Sequence, residues 1–249
     1  TLKKLEEAGA HFLAALREDP AMKDTLDATR RSPAQGILFV TDDWQKAGKP
    51  LQAIQLYRKA LDLVPGEVDW SNNMALFARD LGTVLERQGR KKEAQELYET
   101  SLWGYKNAVK YSPEDPRLLN DLALIMLYHV TREAGQAKPI LERAIAIGER
   151  QLEEFPADDP GGKQQLDEAV GDAWQNLGYV LMQLEKDLDQ AQEAFYKSMR
   201  HYPFERRGEV QRHLGMLRVM RSEAEAKKQR EEEEKRKQEA GRPGAEGGK

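Results

Sequence analysis

Read for apolar spacing alone, the chain is a succession of helices. Residues 2–19 place Leu5, Ala8, Phe12, Ala15 and Leu16 at mostly three- and four-residue steps, which is one stripe of a helix. The period lapses over 21–33, where Thr25, Thr29, Arg30, Arg31 and Ser32 are poor core material, so this stretch reads as a short polar helix and a loop. It resumes over 34–47 with Ile37, Val40 and Trp44 on the packed side, is stopped by Gly48 and Pro50, and returns over 51–64. A longer helix follows at 69–88 with Ala78, Leu81, Gly82 and Leu85 in register; Gly89, Arg90 and Lys91 turn the chain into 92–111. Beyond Pro116 the apolar residues are Leu119, Leu122, Ala123 and Met126. Residues 155–163, with two prolines and two glycines, read as a loop, and 164–185 with 188–202 as the next pair of helices. After Pro203, Val210, Leu214, Gly215 and Leu217 mark one more helix. From 222 the apolar residues stop.

Within this succession one pattern recurs five times. Ala8, Phe12, Ala15 and Pro20 have the same spacing as Ala53, Tyr57, Ala60 and Pro65, and as Ala191, Phe195, Ser198 and Pro203. Ala94, Tyr98, Ser101 and Pro113 share the first two steps and delay the proline by seven residues, as do Ala137, Leu141, Ala144 and Pro156. Seven residues are about two turns of helix, so the second helix is lengthened without rotating its packed face. The fullest copy opens with Trp174, Leu177, Gly178, Tyr179 and Leu181. Large and small residues alternating in this way suit closely packed antiparallel helices, with glycine admitting a neighbour and an aromatic ring filling the space beside it.

These residues resemble the tetratricopeptide repeat, whose signature is Trp-x2-Leu-Gly-x2-Tyr, then Ala-x3-Phe, then Pro. The steps from Gly82 to Ala123 and from Ala94 to Ala137 exceed the standard unit and resemble the 42-residue variant of kinesin light chains. The resemblance implies an all-α solenoid of antiparallel helix pairs wound as a right-handed superhelix. Its divisions are a partial N-terminal repeat (second helix) with linker over 1–33, about four repeats over 34–203, a capping helix over 204–221, and a charged helical, then disordered tail over 222–249. The opening of the chain in a second helix reads as a start inside a repeat. A cytoplasmic location is expected, with a removed targeting segment left open.

Charge and chemistry narrow the function. A net charge of −4 gives no basic surface for nucleic acid. The absence of cysteine removes disulfides, thiolate catalysis and cysteine–zinc sites. The longest apolar run, 122–128, is far short of the ~20 residues a bilayer requires. Of the four histidines, only His129, one turn from Glu133, suggests even a two-point metal contact, and no helical zinc motif is present. No strained serine turn or phosphate-cradling loop occurs. The expectation is a protein without catalytic activity, metal or cofactor. The tail cancels its own charge, with eight acidic and eight basic residues over 222–249. Glu231, Glu232 and Glu233 stand four residues before Lys235, Arg236 and Lys237, which supports a solvated helix.

What remains is binding. In the repeat family the first helices line a concave groove. Carried over by register, the groove positions are Leu76, Arg79, Thr83 and Glu86; Arg117, Asn120, Leu124 and Leu127; and Asp172, Gln175, Tyr179 and Met182. Of these, Arg79, Thr83, Arg117, Asn120, Leu124, Gln175 and Tyr179 are the partner-binding candidates. Their forked donors, amides and amphipathic ring suit an extended peptide or a helix of a protein partner. The clustered lysines and paired asparagines with which some members clamp chaperone termini are not matched. The rival expectations are a self-assembling homo-oligomer that borrows a helix for residues 2–19, and a regulatory fragment of a larger enzyme.

Overall fold

The computed structural model describes residues 2–26 and 31–240, and these fold as an all-α chain. Its helices are α1 (Leu2–Glu18), α2 (Pro33–Lys46), α3 (Pro50–Leu63), α4 (Val68–Arg87), α5 (Lys91–Tyr111), α6 (Pro116–Tyr128), α7 (Ala137–Glu153), α8 (Pro160–Val180), α9 (Leu188–His201) and α10 (Gly208–Ala240). Thr29, Arg30 and residues 241–249, on which some expectations fall, lie outside the described residues. Short 3-10 turns occupy Pro20–Asp24, Thr131–Gln136 and Phe204–Arg206. No described helix is long and apolar enough to cross a membrane.

Helix boundaries follow from local chemistry. Pro33, Pro50, Pro116 and Pro160 open their helices, where a missing N–H costs nothing. Ser32 and Gln35 form a reciprocal cap, and Asp115, Asp159 and Asp187 accept hydrogen bonds from the first turns of α6, α8 and α9. Gly48 and Gly89 have φ of 70° and 79°, the left-handed conformation that lets α2 turn into α3 and α4 into α5.

The helices pair as α2/α3, α4/α5, α6/α7 and α8/α9, each pair resting on the next, with α1 against α2 and α10 against α9. This is an all-α array of antiparallel helix pairs, the arrangement that the resemblance implies. The signature side chains make the contacts. Added to Gly178, a Cβ would lie 2.6 Å from the ring of Phe195; at Gly82 it would lie 2.7 Å from the ring of Tyr98. Where the small residue is Ala123, the aromatic is replaced by Leu141, and both are fully buried in one core. In the first pair the position belongs to Thr41, whose hydroxyl donates to the Tyr57 hydroxyl at 2.7 Å. Each larger small-residue choice is matched by a smaller or hydrogen-bonding partner, as close packing demands.

Measured from the signature alanine, α3 runs Ala53–Leu63 and α9 Ala191–His201, whereas α5 runs Ala94–Tyr111 and α7 Ala137–Glu153. The delayed prolines do mark longer second helices. Three expectations require correction. The stretch 155–163 is not all loop: Asp159 accepts from the Gly162 amide at 2.8 Å with Pro160 at the first position, so α8 starts there. The α-helix expected through 185 stops at Val180, and Leu181–Glu185 is a π turn ending at Lys186 with φ 59°. The step from Gly178 to Phe195 is one residue longer than from Gly82 to Tyr98, and a wider turn absorbs one extra residue without losing the register. Gly215, third, has nothing within contact of it, so the Leu-Gly pair there is not a packing signature.

The core divides in two. Phe12 to Tyr105 contribute to a first cluster and Leu141 to Leu217 to a second. α6 belongs to both: Leu122, Ile125 and Met126 pack with the first, Leu119, Ala123 and Leu127 with the second.

Candidate functional site

The faces of α4, α6 and α8 that carry the sequence-derived candidates differ in how much they leave free. Arg79 is partly buried and donates from Nε to Asp80 at 3.1 Å, with its terminal nitrogen 3.0 Å from the same carboxylate. Arg117 is exposed, but its guanidinium donates to Asp115, the cap of its own helix, at 3.3 and 3.0 Å. Thr83 donates to the Arg79 carbonyl at 3.0 Å, within its own helix. Asn120 is only 5% exposed and accepts from the Asn176 amide at 2.9 Å, between α6 and α8. Leu127 and Met182 are likewise buried. Leu124, Gln175 and Tyr179 are partly exposed.

Two groupings emerge that spacing alone did not single out. The first is aromatic. Tyr128, 38% exposed, lies 5.0 Å from the ring of Tyr179, which lies 5.9 Å from the imidazole of His213. The Tyr128 hydroxyl donates to Asn176 at 3.2 Å. Three successive first helices, α6, α8 and α10, are joined by this row. The second is ionic and centres on Asp121 of α6. Burial raises its carboxyl to about 6; Arg79 and Arg117 oppose the rise, and Asp172 and Asp115 add to it. Below it the fully buried Tyr105 of α5 feels Asp121, Arg79 and Asp80. At the far side Asp172 is held by the Tyr202 hydroxyl and by Arg206 at 3.0 Å, and Arg206 also donates to Glu168 at 2.7 Å.

Asp121 and Tyr128 each follow directly on a position chosen by register, Asn120 and Leu127. On α6 the open positions are Arg117, Asp121, Leu124 and Tyr128, so the register is right at Arg117 and Leu124 and falls one residue short at the other two. The signal was present: Asp121 is the one charged residue between Leu118 and Tyr128. His129 does not face a metal with Glu133. Its ring stacks on Tyr98 at 4.2 Å, burial lowers its pKa, and Glu133 pairs with Lys106 at 2.6 Å. Among the described residues no group of three or more His, Cys, Asp or Glu side chains is placed to hold a metal ion.

No family model matches the sequence, and no curated protein does. Among solved structures, the chain is similar to a crystal structure of YrrB, described as a TPR protein with an unusual peptide-binding site. The two are 18% identical, with 82% of this chain and 97% of that one covered, at a TM-score of 0.31. With so low a TM-score this likeness adds nothing to the helix pairing described above, on which the fold rests.

Proposed function

We propose that this chain is a non-catalytic protein–protein interaction module, and that the face of α4, α6 and α8 receives an extended or helical segment of a partner. The observation that carries this reading is the ring pair of Tyr128 and Tyr179, which joins α6 to α8, with the partly exposed Leu124 one turn before Tyr128 on α6 and Asp121 a further turn back. Single apolar residues on a surface are ordinary; a row of aromatic and aliphatic side chains bordered by charge is the composition of a recognition surface. A groove held by packed helices loses little conformational freedom on binding. The lengthened α5 and α7, with the long steps from Gly82 to Ala123 and from Ala94 to Ala137, support the likeness to the 42-residue kinesin-light-chain unit. The test is affinity capture with mass spectrometry, comparing the native chain with Leu124→Glu/Tyr179→Ala. Partners retained by the native chain and lost from the variant are expected. Partners held equally by both would move the site elsewhere.

A further inference from the structure

α10 covers the end of the second core with a light hold. It buries Val210, Leu214 and Leu217, three residues where α8 buries eight. Arg221 adds a hydrogen bond to the Leu188 carbonyl at 3.2 Å, and Arg207, just before the helix, donates to the Tyr202 carbonyl at 3.0 Å. Within this seam stands His213. Its ring stacks on Phe195 of α9 at 5.3 Å, with 27° between the planes, and lies 5.9 Å from the ring of Tyr179 on α8. Its Nδ1 is shut off from water and has no hydrogen-bond partner among the described residues. A neutral imidazole tolerates this by leaving Nδ1 as a bare lone pair and carrying its proton on Nε2. The imidazolium cannot: both nitrogens are then donors, and one charged N–H is sealed in without an acceptor.

We propose that His213 is a proton-operated latch: protonation at Nδ1 releases the packed part of α10 from α8 and α9 and uncovers the end of the second core. The latch stands whether or not α4, α6 and α8 receive a partner. From α8 the imidazole is faced by the Tyr179 ring and from α9 by the Phe195 ring; the charged groups acting on it are Glu209 and Arg212 of its own helix. Burial lowers its pKa, Glu209 opposes the fall, and Arg212 adds to it. The direction of the switch follows. An imidazole that is harder to charge when covered takes its proton first in the opened helix. The closed form is therefore fully favoured above about pH 6.5, the ordinary value for a free imidazole, and loses ground as the pH falls below it. α10 opens ahead of the other helices because it buries least. The α8/α9 pair keeps its own contact, Gly178 against Phe195, when α10 leaves.

The test is hydrogen exchange of the full chain, read by mass spectrometry at about pH 7.5 and 5.5 and corrected for intrinsic exchange rates. Opening of residues 208–221, measured relative to α4 and α5, is expected to rise by up to about tenfold over that interval, the limit set by an open-state imidazole near 6.5. His213→Phe keeps the ring stack and takes no proton, so its opening is expected to be the same at both pH values. His213→Gln, which gives up the stack as well, should open more than the native chain at pH 7.5 and likewise show no rise. His129, stacked on Tyr98 at 4.2 Å in the first core, remains in every variant and serves as the internal control. A rise of equal size in all three chains, or no rise in the native one, would overturn the latch. So would an NMR titration, with the His213 ring signal assigned by its loss from His213→Gln, that found the imidazole charging more readily than a free one. Phe195 and Tyr179 would then be stabilising the charged ring.

Discussion

Asp121 is the only charged side chain in the middle of α6, and its burial bears on stability. In the unfolded chain its carboxyl titrates near 3.8; in the fold burial moves it to about 6. Between those values the folded state binds more protons than the unfolded one, so this residue's contribution to stability falls as pH rises through the window, and the penalty is complete above about 6. Asp121→Asn removes the penalty. At pH 7 the variant is expected to be more stable than the native chain by roughly 1–2 kcal/mol, less than the full shift implies because the amide is itself left short of partners. Below about pH 4 the two should converge. Urea denaturation at a series of pH values checks this; a variant less stable at neutral pH would show that the carboxylate is satisfied in the native fold.

Helices and their pairing were legible because their signals are local and redundant. Ala53, Tyr57 and Ala60, or Ala191, Phe195 and Ser198, state both the face and its neighbour, and all six are buried. Boundaries were legible where a capping residue and a proline agree, and missed at α8, where two glycines after Pro160 outweighed Asp159. The proposed binding face was harder to read, because an exposed and a buried position on a helix are adjacent in sequence. Carry-over by register picks Asn120, which is buried and bonded to Asn176, where the more open neighbour is Asp121. Hydrogen bonds between distant helices, such as Tyr128 to Asn176, leave no trace in spacing. α10 marks a further limit. It continues unbroken to Ala240, yet its last packed side chains are Leu217, Met220 and Arg221, the last of which donates to the Leu188 carbonyl at 3.2 Å. Residues 222–237 are exposed throughout, and of the three expected ion pairs Glu233–Lys237 is formed, at 2.6 Å. Exposed pairs of this kind contribute little. Ending the chain after Arg221 is therefore expected to shift Tm by no more than about 2 °C; a larger fall in calorimetry would mean that the distal helix packs against the array.

At the scale of the molecule the double allegiance of α6 matters most. Residues of this one helix complete both the first and the second core, so the halves do not have independent stabilities. Ile125→Ala opens a cavity on the first side and is expected to cost about 2–5 kcal/mol. The effect should reach across. Trp44 and Trp70 are buried in the first core, so tryptophan emission reports chiefly that half, while circular dichroism reports all helices. The two denaturation curves of Ile125→Ala are expected to move together. A shift in emission alone would show that the second core survives without the first.

The same arrangement has a mechanical side. A chain of helix pairs in which each touches only its neighbours carries a pull on its ends in series, so strain gathers at the seams and not along the helices. The α4/α5 hairpin is the longest link, with 20 and 21 residues in its arms, and beside it α6 is gripped from both flanks. As a spring, the molecule is two stiff coils joined by a clasp. Because α6 is shared by both coils, a partner seated on the proposed face, which α4, α6 and α8 supply, would bridge the clasp.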